Sequence, residues 1–168
     1  SGAGLVAASG ESVTERDASL DPRVRACLSQ AQFYFHRRAA GDLERARLCL
    51  EQAQGIDPLN ALVPARLSGV FMALRVEGLL DADSALAGQR AAAERALQLD
   101  PDLAEAHLRM AQYHRHTSNQ AQAQRHFERG VALDPGHALA LSMQAGQAAC
   151  RGQLEKAIEL QRRSVAQE

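Results

Sequence analysis

The chain of 168 residues contains no tryptophan, and aromatic residues make up only 4% of it. Val, Ile, Thr and Tyr are also sparse, which removes the side chains that pack best on a pleated sheet. Lysine is nearly absent: Lys156 is the single lysine among 19 basic residues, and 20 acidic residues bring the net charge to −1. With both signs interspersed there is no basic excess, which excludes a nucleic-acid-binding surface on these residues. No apolar run approaches the roughly 18 residues of a membrane-spanning helix, and no secretion signal is visible. The three cysteines, Cys27, Cys49 and Cys150, lack CxxC spacing. They read as reduced thiols, with Cys27 and Cys49 expected on neighbouring helices, where a disulfide between them is the alternative. A cytoplasmic location follows, or a periplasmic one if a membrane anchor lies outside these residues. The chain opens on Ser1 rather than Met, so it is expected to be a processed form or a piece of a longer protein.

Catalytic signatures are missing too. There is no glycine-rich phosphate loop, no HExxH and no GxSxG. Asp81 with Asp83, and Glu155 with Glu159, read as solvated helix charges rather than acid–base pairs. No catalytic residue, cofactor or metal is expected. His107, His114, His116 and His126 fall in one segment, with His107 and His114 two turns apart on one helix face. They are expected to be solvated or interfacial rather than metal ligands, which need a converging set.

What remains is alanine- and leucine-rich, 46% hydrophobic and periodic. Small side chains allow close helix approach. Residues 1–20, rich in Gly, Ser and Ala, are expected to form a flexible N-terminal segment. Asp21-Pro22 then reads as a helix cap followed by proline at the first helical position. Beyond it the chain repeats. GIDP at 55–58, QLDP at 98–101 and ALDP at 132–135 close similar segments, with Pro101 and Pro135 spaced 34 apart and Pro58 and Pro101 spaced 43 apart. Each period holds two helices, predicted at 23–39 and 42–54, 60–78 and 83–98, 102–116 and 119–132, and 137–150 and 153–166. Asp42 and Asn119 are predicted N-caps, and Gly152 a helix-closing residue. The nine additional residues of the second period, near GLLDADSAL, are placed at the tip between its helices. There they form either a longer loop or a projection that touches a partner.

These periods resemble the tetratricopeptide repeat family over about residues 23–168. In 104–135 the small positions hold Ala111 and Ala123, the large residue after them is Phe127, and Pro135 closes the repeat. Ala46, Leu50, Ala53 and Pro58 match in the first repeat. The second supplies Leu67, Ser68, Phe71, Ala96 and Pro101, and the last Ala145, Gly152, Ala157 and Ile158. Tyr34 stands where a small residue is expected, which predicts a wider helix crossing, and Gln144 and Gln161 stand at usually apolar places. The stretched second repeat, with GDLERARLCLEQAQGIDPLNALVPARLSGVF before it and AAAERALQLDPDLAEAHLRMA at its close, is similar to the repeat region of bacterial winged-helix regulators and adenylate cyclases.

The resemblance implies an all-α fold, an α-solenoid of about four helix-turn-helix repeats wound into a right-handed superhelix. The repeats are expected at about 23–58, 59–101, 102–135 and 136–168. It implies that first helices line a concave groove that holds a peptide or helical segment of a partner, or of another domain of the same polypeptide. The family's wall positions map onto Leu28, Ala31, Phe35 and Arg38 in repeat one. They map onto Leu62, Ala65, Gly69 and Met72 in repeat two, and onto Glu105, Leu108, Gln112, Arg115 and His116 in repeat three. In repeat four they map onto Leu139, Ser142, Gly146 and Cys150. The apolar N-terminal part of this wall suits a partner segment, the chain's own N-terminal residues or a second copy. Homodimerisation is the alternative role. Ala31 and Phe35 stand in first-repeat places where chaperone-binding members use Lys and Asn to grip a terminal carboxylate, which argues against that activity here.

Overall fold

The computed structural model describes residues 20–167, so the expectation for residues 1–19 lies outside it. Among the described residues there are eight helices and no strand. They are α1 (Pro22–Arg37), α2 (Asp42–Ile56), α3 (Leu62–Val76), α4 (Ala82–Leu99), α5 (Ala104–His116), α6 (Gln120–Leu133), α7 (Ala138–Cys150) and α8 (Leu154–Val165). Each odd-numbered helix packs against the next as a hairpin, and α3 also touches α5. The result is an α-solenoid of four helix pairs.

Local chemistry explains the boundaries. At Asp21 the carboxylate accepts the Arg23 N–H at 2.8 Å, and Pro22 follows in a position where its missing N–H costs nothing. Each Asp-Pro pair makes the same turn. Asp57, Asp100 and Asp134 accept the N–H of Leu59, Asp102 and Gly136 at 3.2, 3.0 and 3.0 Å. The backbone carbonyls of these aspartates also accept the N–H three residues on, each at 3.3 Å. The Asp side chain therefore starts the turn, while proline prevents the preceding helix from continuing.

The tips of the later hairpins share a second device. Gly78, Ser118 and Gly152 take positive φ values of 69°, 59° and 74°. The next residue's N–H then reaches back to the carbonyl of Leu74, His114 or Ala148 at 2.8, 2.8 and 2.9 Å. This closes the orphan carbonyls of the first helix. Ser118 does so without glycine, at the cost of a left-handed conformation for a side chain. Asp81 and Asn119 cap the second helices, accepting from Ser84 N–H at 2.8 Å and Gln122 N–H at 3.3 Å.

Asp42 is not the predicted N-cap. Gly41 takes that place, and Asp42 is the first residue of α2 with no exposed surface. Its carboxylate accepts from Ala39 N–H at 3.0 Å, from Arg37 at 2.6 and 2.7 Å and from Arg45 at 3.2 Å. The two arginines cover it while remaining open to water themselves. The Arg37 hydrogen bonds are the main reason its pKa falls to about 2, against the opposing effect of desolvation. Tyr34, expected to widen this hairpin, lies half-buried with the Arg45 guanidinium 5.9 Å from its ring centre.

The nine-residue expansion is not confined to the tip. The tip runs over 77–81 rather than 117–119, but α4 also has 18 residues against 14 in α6, and α3 has 15 against 13 in α5. Much of the additional sequence is helix because DSALAGQRAAAERAL is rich in strong helix formers and Asp81 caps it early. At the tip Leu80 packs back on the core while Val76 and Leu79 stay exposed.

The largest core cluster spans α1 to α4 and includes Val24, Leu28, Leu43, Leu50, Val63 and Leu74. A small alanine contact, Ala65 with Ala96 and Ala106, joins the second repeat to the third. The C-terminal half holds two smaller clusters, one around Leu108, Phe127 and Met143 and one around Leu141, Ala148 and Leu160.

Candidate functional site

First helices and inter-repeat turns enclose an open groove of about 1450 Å³. Of the expected wall residues, Ala31, Phe35, Arg38, Leu62, Met72, Glu105, Gln112, Leu139 and Ser142 line it. Leu28, Ala65 and Leu108 do not. They are 4%, 0% and 0% exposed and belong to the core. Arg115, His116, Gly146 and Cys150 are exposed but outside the lining, and Gly69 is buried under a neighbouring side chain. For Ala65 and Leu108 the cause is a one-residue difference in register: both i+3 and i+4 lie on the face of a starting residue, and in repeats two and three the groove uses the i+4 member. Arg66 follows Leu62, and Arg109 follows Glu105, whereas the expected residues were Ala65 and Leu108.

At the N-terminal end the wall is apolar, formed by Leu20, Ala31, Phe35, Leu62 and Met72. Arg38 edges it. Its guanidinium carbon lies 4.7 Å from the Phe35 ring centre, and it donates to Phe35 O at 2.9 Å and to Glu77 at 3.2 Å. The cation is thus held over an aromatic face and tied to the tip of repeat two.

The middle of the groove carries a charged cluster in which Glu105 and Gln112 are expected wall residues and Arg66 and Arg109 are not. Arg109 donates to Glu105 at 2.8 Å and to Gln112 at 3.2 Å, and Arg66 approaches Glu105 at 3.9 Å. Burial raises the Glu105 pKa, but Arg109 and then Arg66 outweigh it and keep the carboxyl below its usual value. Gly69 makes room for this cluster: a Cβ there would stand 2.6 Å from the Arg109 guanidinium carbon. Two arginines face one carboxylate, and Arg109 Nε is buried without a partner. His137 lines the groove and caps α7 by accepting Leu139 N–H at 3.2 Å on Nδ1, which requires the neutral ring. Burial is the first cause of its lowered pKa.

Outside the groove, His107 and His126 meet at 3.1 Å through their Nδ1 atoms, and His114 stacks on His126 with ring centres 5.6 Å apart. His116 is not among these contacts. Among the described residues no group of three or more His, Cys, Asp or Glu side chains is arranged to hold a metal ion. No helix among them is long and apolar enough to cross a membrane.

No family model matches the sequence, and no curated protein matches it. Solved structures do match. The chain is similar to a crystal structure of MamA, with a TM-score of 0.54 and 16% identity over 87% of this chain and 79% of that one. It is similar to the first TPR of Spaghetti (RPAP3) bound to HSP90 peptide SRMEEVD, with a TM-score of 0.57 and 17% identity over 82% and 91%. It is also similar to PilW, a type IV pilus biogenesis factor, with a TM-score of 0.57 and 21% identity over 88% of this chain and 63% of that one. At these identities the likeness concerns fold, and the fold is a tetratricopeptide-type α-solenoid.

Proposed function

We propose that this chain is a non-catalytic protein-interaction module whose groove holds a peptide or helical segment, as part of a larger bacterial regulatory or adaptor protein. The carrying observation is the groove itself, which is open, long and graded from apolar to charged. A segment that fits it places an apolar side chain against Phe35, Leu62 and Met72. Its polar groups then face Arg66, Arg109, Gln112 and Ser142. One of the similar structures has a peptide bound, which supports this use of the fold. The elongated second repeat supports the reading of a regulator's repeat region.

The test is selection from a displayed peptide library with the purified chain, followed by fluorescence polarisation on the selected peptide. Phe35→Glu and Met72→Glu should each weaken binding at least tenfold while circular dichroism stays unchanged. Equal binding by both variants refutes the groove as the site.

A second reading, self-association, is favoured by one feature. On α8 the side chains of Leu154, Ile158 and Val165 are 64%, 54% and 61% exposed and share one face. Pairing of two copies through that face would set the spacing of attached domains. Light scattering that shows a monomer at high micromolar concentration excludes it.

A further inference from the structure

The third repeat is held to the second by an inter-repeat turn, Asp100–Leu103, whose residues form part of the groove lining. Next to it the two histidines of α5 and α6 are arranged so that, while both rings are neutral, only one proton placement works. His107 Nε2 lies 2.9 Å from the Pro101 carbonyl oxygen, which can only accept. Nε2 of His107 must therefore carry a hydrogen, and its Nδ1, in the neutral ring, offers a lone pair. His126 Nδ1 lies 3.1 Å from that lone pair and must donate to it. The two rings are thus opposite tautomers in a relay that runs from His126 through His107 to the Pro101 carbonyl. A first proton on the pair still leaves one N–H between the rings, since His126 can turn to its Nε2–H tautomer, but a second sets two N–H groups against each other at Nδ1. Protonating His126 adds a charge beside two other imidazoles.

We infer that the His126–His107–Pro101 relay is a pH-sensitive clasp that holds the repeat-two to repeat-three turn, and with it one side of the groove, in the shape found here near neutral pH. This regulation concerns the groove proposed above as the binding site, but the clasp itself can be tested without any partner.

The groups around the clasp favour its neutral form. Burial is the first cause of the lowered His126 pKa, followed by the like-charged influence of His107 and His114. His114 in turn faces Arg90 and Glu94 of α4, with burial and then Arg90 lowering its pKa and Glu94 opposing. At the turn Asp102 is taken by Arg129 of α6 at 2.5 Å. A folded-state pKa below the unfolded one means that the clasp contributes fully above the ordinary histidine value. That contribution is lost as pH falls through the folded-state value.

Two measurements decide it. The ring ¹⁵N shifts of the intact chain at pH 8 should show His107 as the Nε2–H tautomer and His126 as the Nδ1–H tautomer. As pH falls from 7.5 to 5, amide exchange, corrected for its intrinsic pH dependence, should speed up in residues 102–107 and 122–127. The increase should be about tenfold for each unit by which the folded-state pKa lies below the ordinary one. His126→Gln keeps a donor toward His107 but does not titrate, and should flatten that dependence. His36→Gln should leave it intact. Two Nε2–H tautomers in the wild-type chain overturn the inference, even if His126→Gln fails to fold. An unchanged pH dependence in His126→Gln overturns it as well. Unchanged peptide binding by the Phe35→Glu and Met72→Glu variants would refute the groove and leave the clasp standing.

Discussion

The two halves of this solenoid are built differently. Repeats one and two share one cluster of buried residues that runs through four helices, from Val24 to Ala92. Repeats three and four are joined by a smaller cluster, in which Ala140 and Met143 of α7 meet Leu108, Ala111 and Phe127; a second small cluster lies within repeat four, and a polar crevice lined by Phe127, Gln144, Gln147, Arg151 and Lys156 opens between α6 and the last pair. In an array of stacked pairs stability is a sum of intrinsic and neighbour terms. A shared core therefore makes the first two repeats behave as one unit, while repeat four depends on a thinner contact. Gln144 belongs to that crevice, and Gln161 is exposed on α8. The crevice at Gln144 lies beside the small apolar contact that Ala140 and Met143 make with repeat three. The groove follows the same division, with its apolar wall over the shared core and its charged cluster toward repeat three.

The largest effect that tests this contrast should come from Leu50→Ala, which empties a 1% exposed site in the shared core. A loss of about 3 kcal/mol is expected, seen in urea unfolding as one transition that shifts as a whole. Leu141→Ala, at a 2% exposed site in the last cluster, should cost about 2 kcal/mol. Its signature should be different: amides of α7 and α8 exchange early while those of α1 to α4 keep their protection. If both variants unfold with the same pattern, the halves are not energetically distinct.

A smaller effect concerns pH. Asp42 has a lowered folded-state pKa, so the stability it contributes is present above the ordinary aspartate value and disappears as pH falls from about 4 toward 2. Asp42→Asn should therefore lower the thermal midpoint near pH 7, and the gap between variant and wild type should close toward pH 2. The histidine clasp acts in a separate window, at and below the ordinary histidine value, so a stability profile with a single acid limb would contradict this division.

Gln89 offers a smaller change of opposite sign. It sits on α4 with no exposed surface, and both atoms of its amide lack a hydrogen-bond partner. Its backbone carbonyl, by contrast, accepts from Ser68 Oγ at 2.9 Å across the α3–α4 hairpin. Gln89→Met keeps that backbone bond and removes an unpaired buried amide, and should stabilise the chain by about 1 kcal/mol. An unchanged or lower urea midpoint would show that the amide has a partner in solution. Smallest of all, Leu154→Ser with Ile158→Ser on the exposed α8 face should alter stability by less than about 0.5 kcal/mol. If copies pair through this face, the double variant should abolish concentration dependence in light scattering.

Much of the helical framework was legible before the structure. Asp-Pro pairs, Asn119 and Gly152 act within a few residues of themselves, so their consequences do not wait for a fold. The expansion in repeat two was placed too narrowly because a nine-residue difference in repeat length does not say how much joins the helices. Asp42 was misread for a related reason. An aspartate before an apolar run suits a cap, and nothing local reveals that Arg37 and Arg45 converge on it. For the groove, the apolar end was readable from Phe35, Leu62 and Met72. The charged cluster was not, since choosing Arg66 over Ala65, or Arg109 over Leu108, requires knowing how far the neighbouring helix has turned.

The sequence by itself determined the number of helix pairs and where the Asp-Pro turns fall. Those are contests between short-range hydrogen bonds and proline geometry, settled within one or two turns of chain. Only the tertiary structure decided which of two adjacent residues faces the groove, which carboxylate is buried under which arginine and which histidines meet. Each of those depends on the distance and angle between helices, set by the summed packing of side chains far apart in the chain.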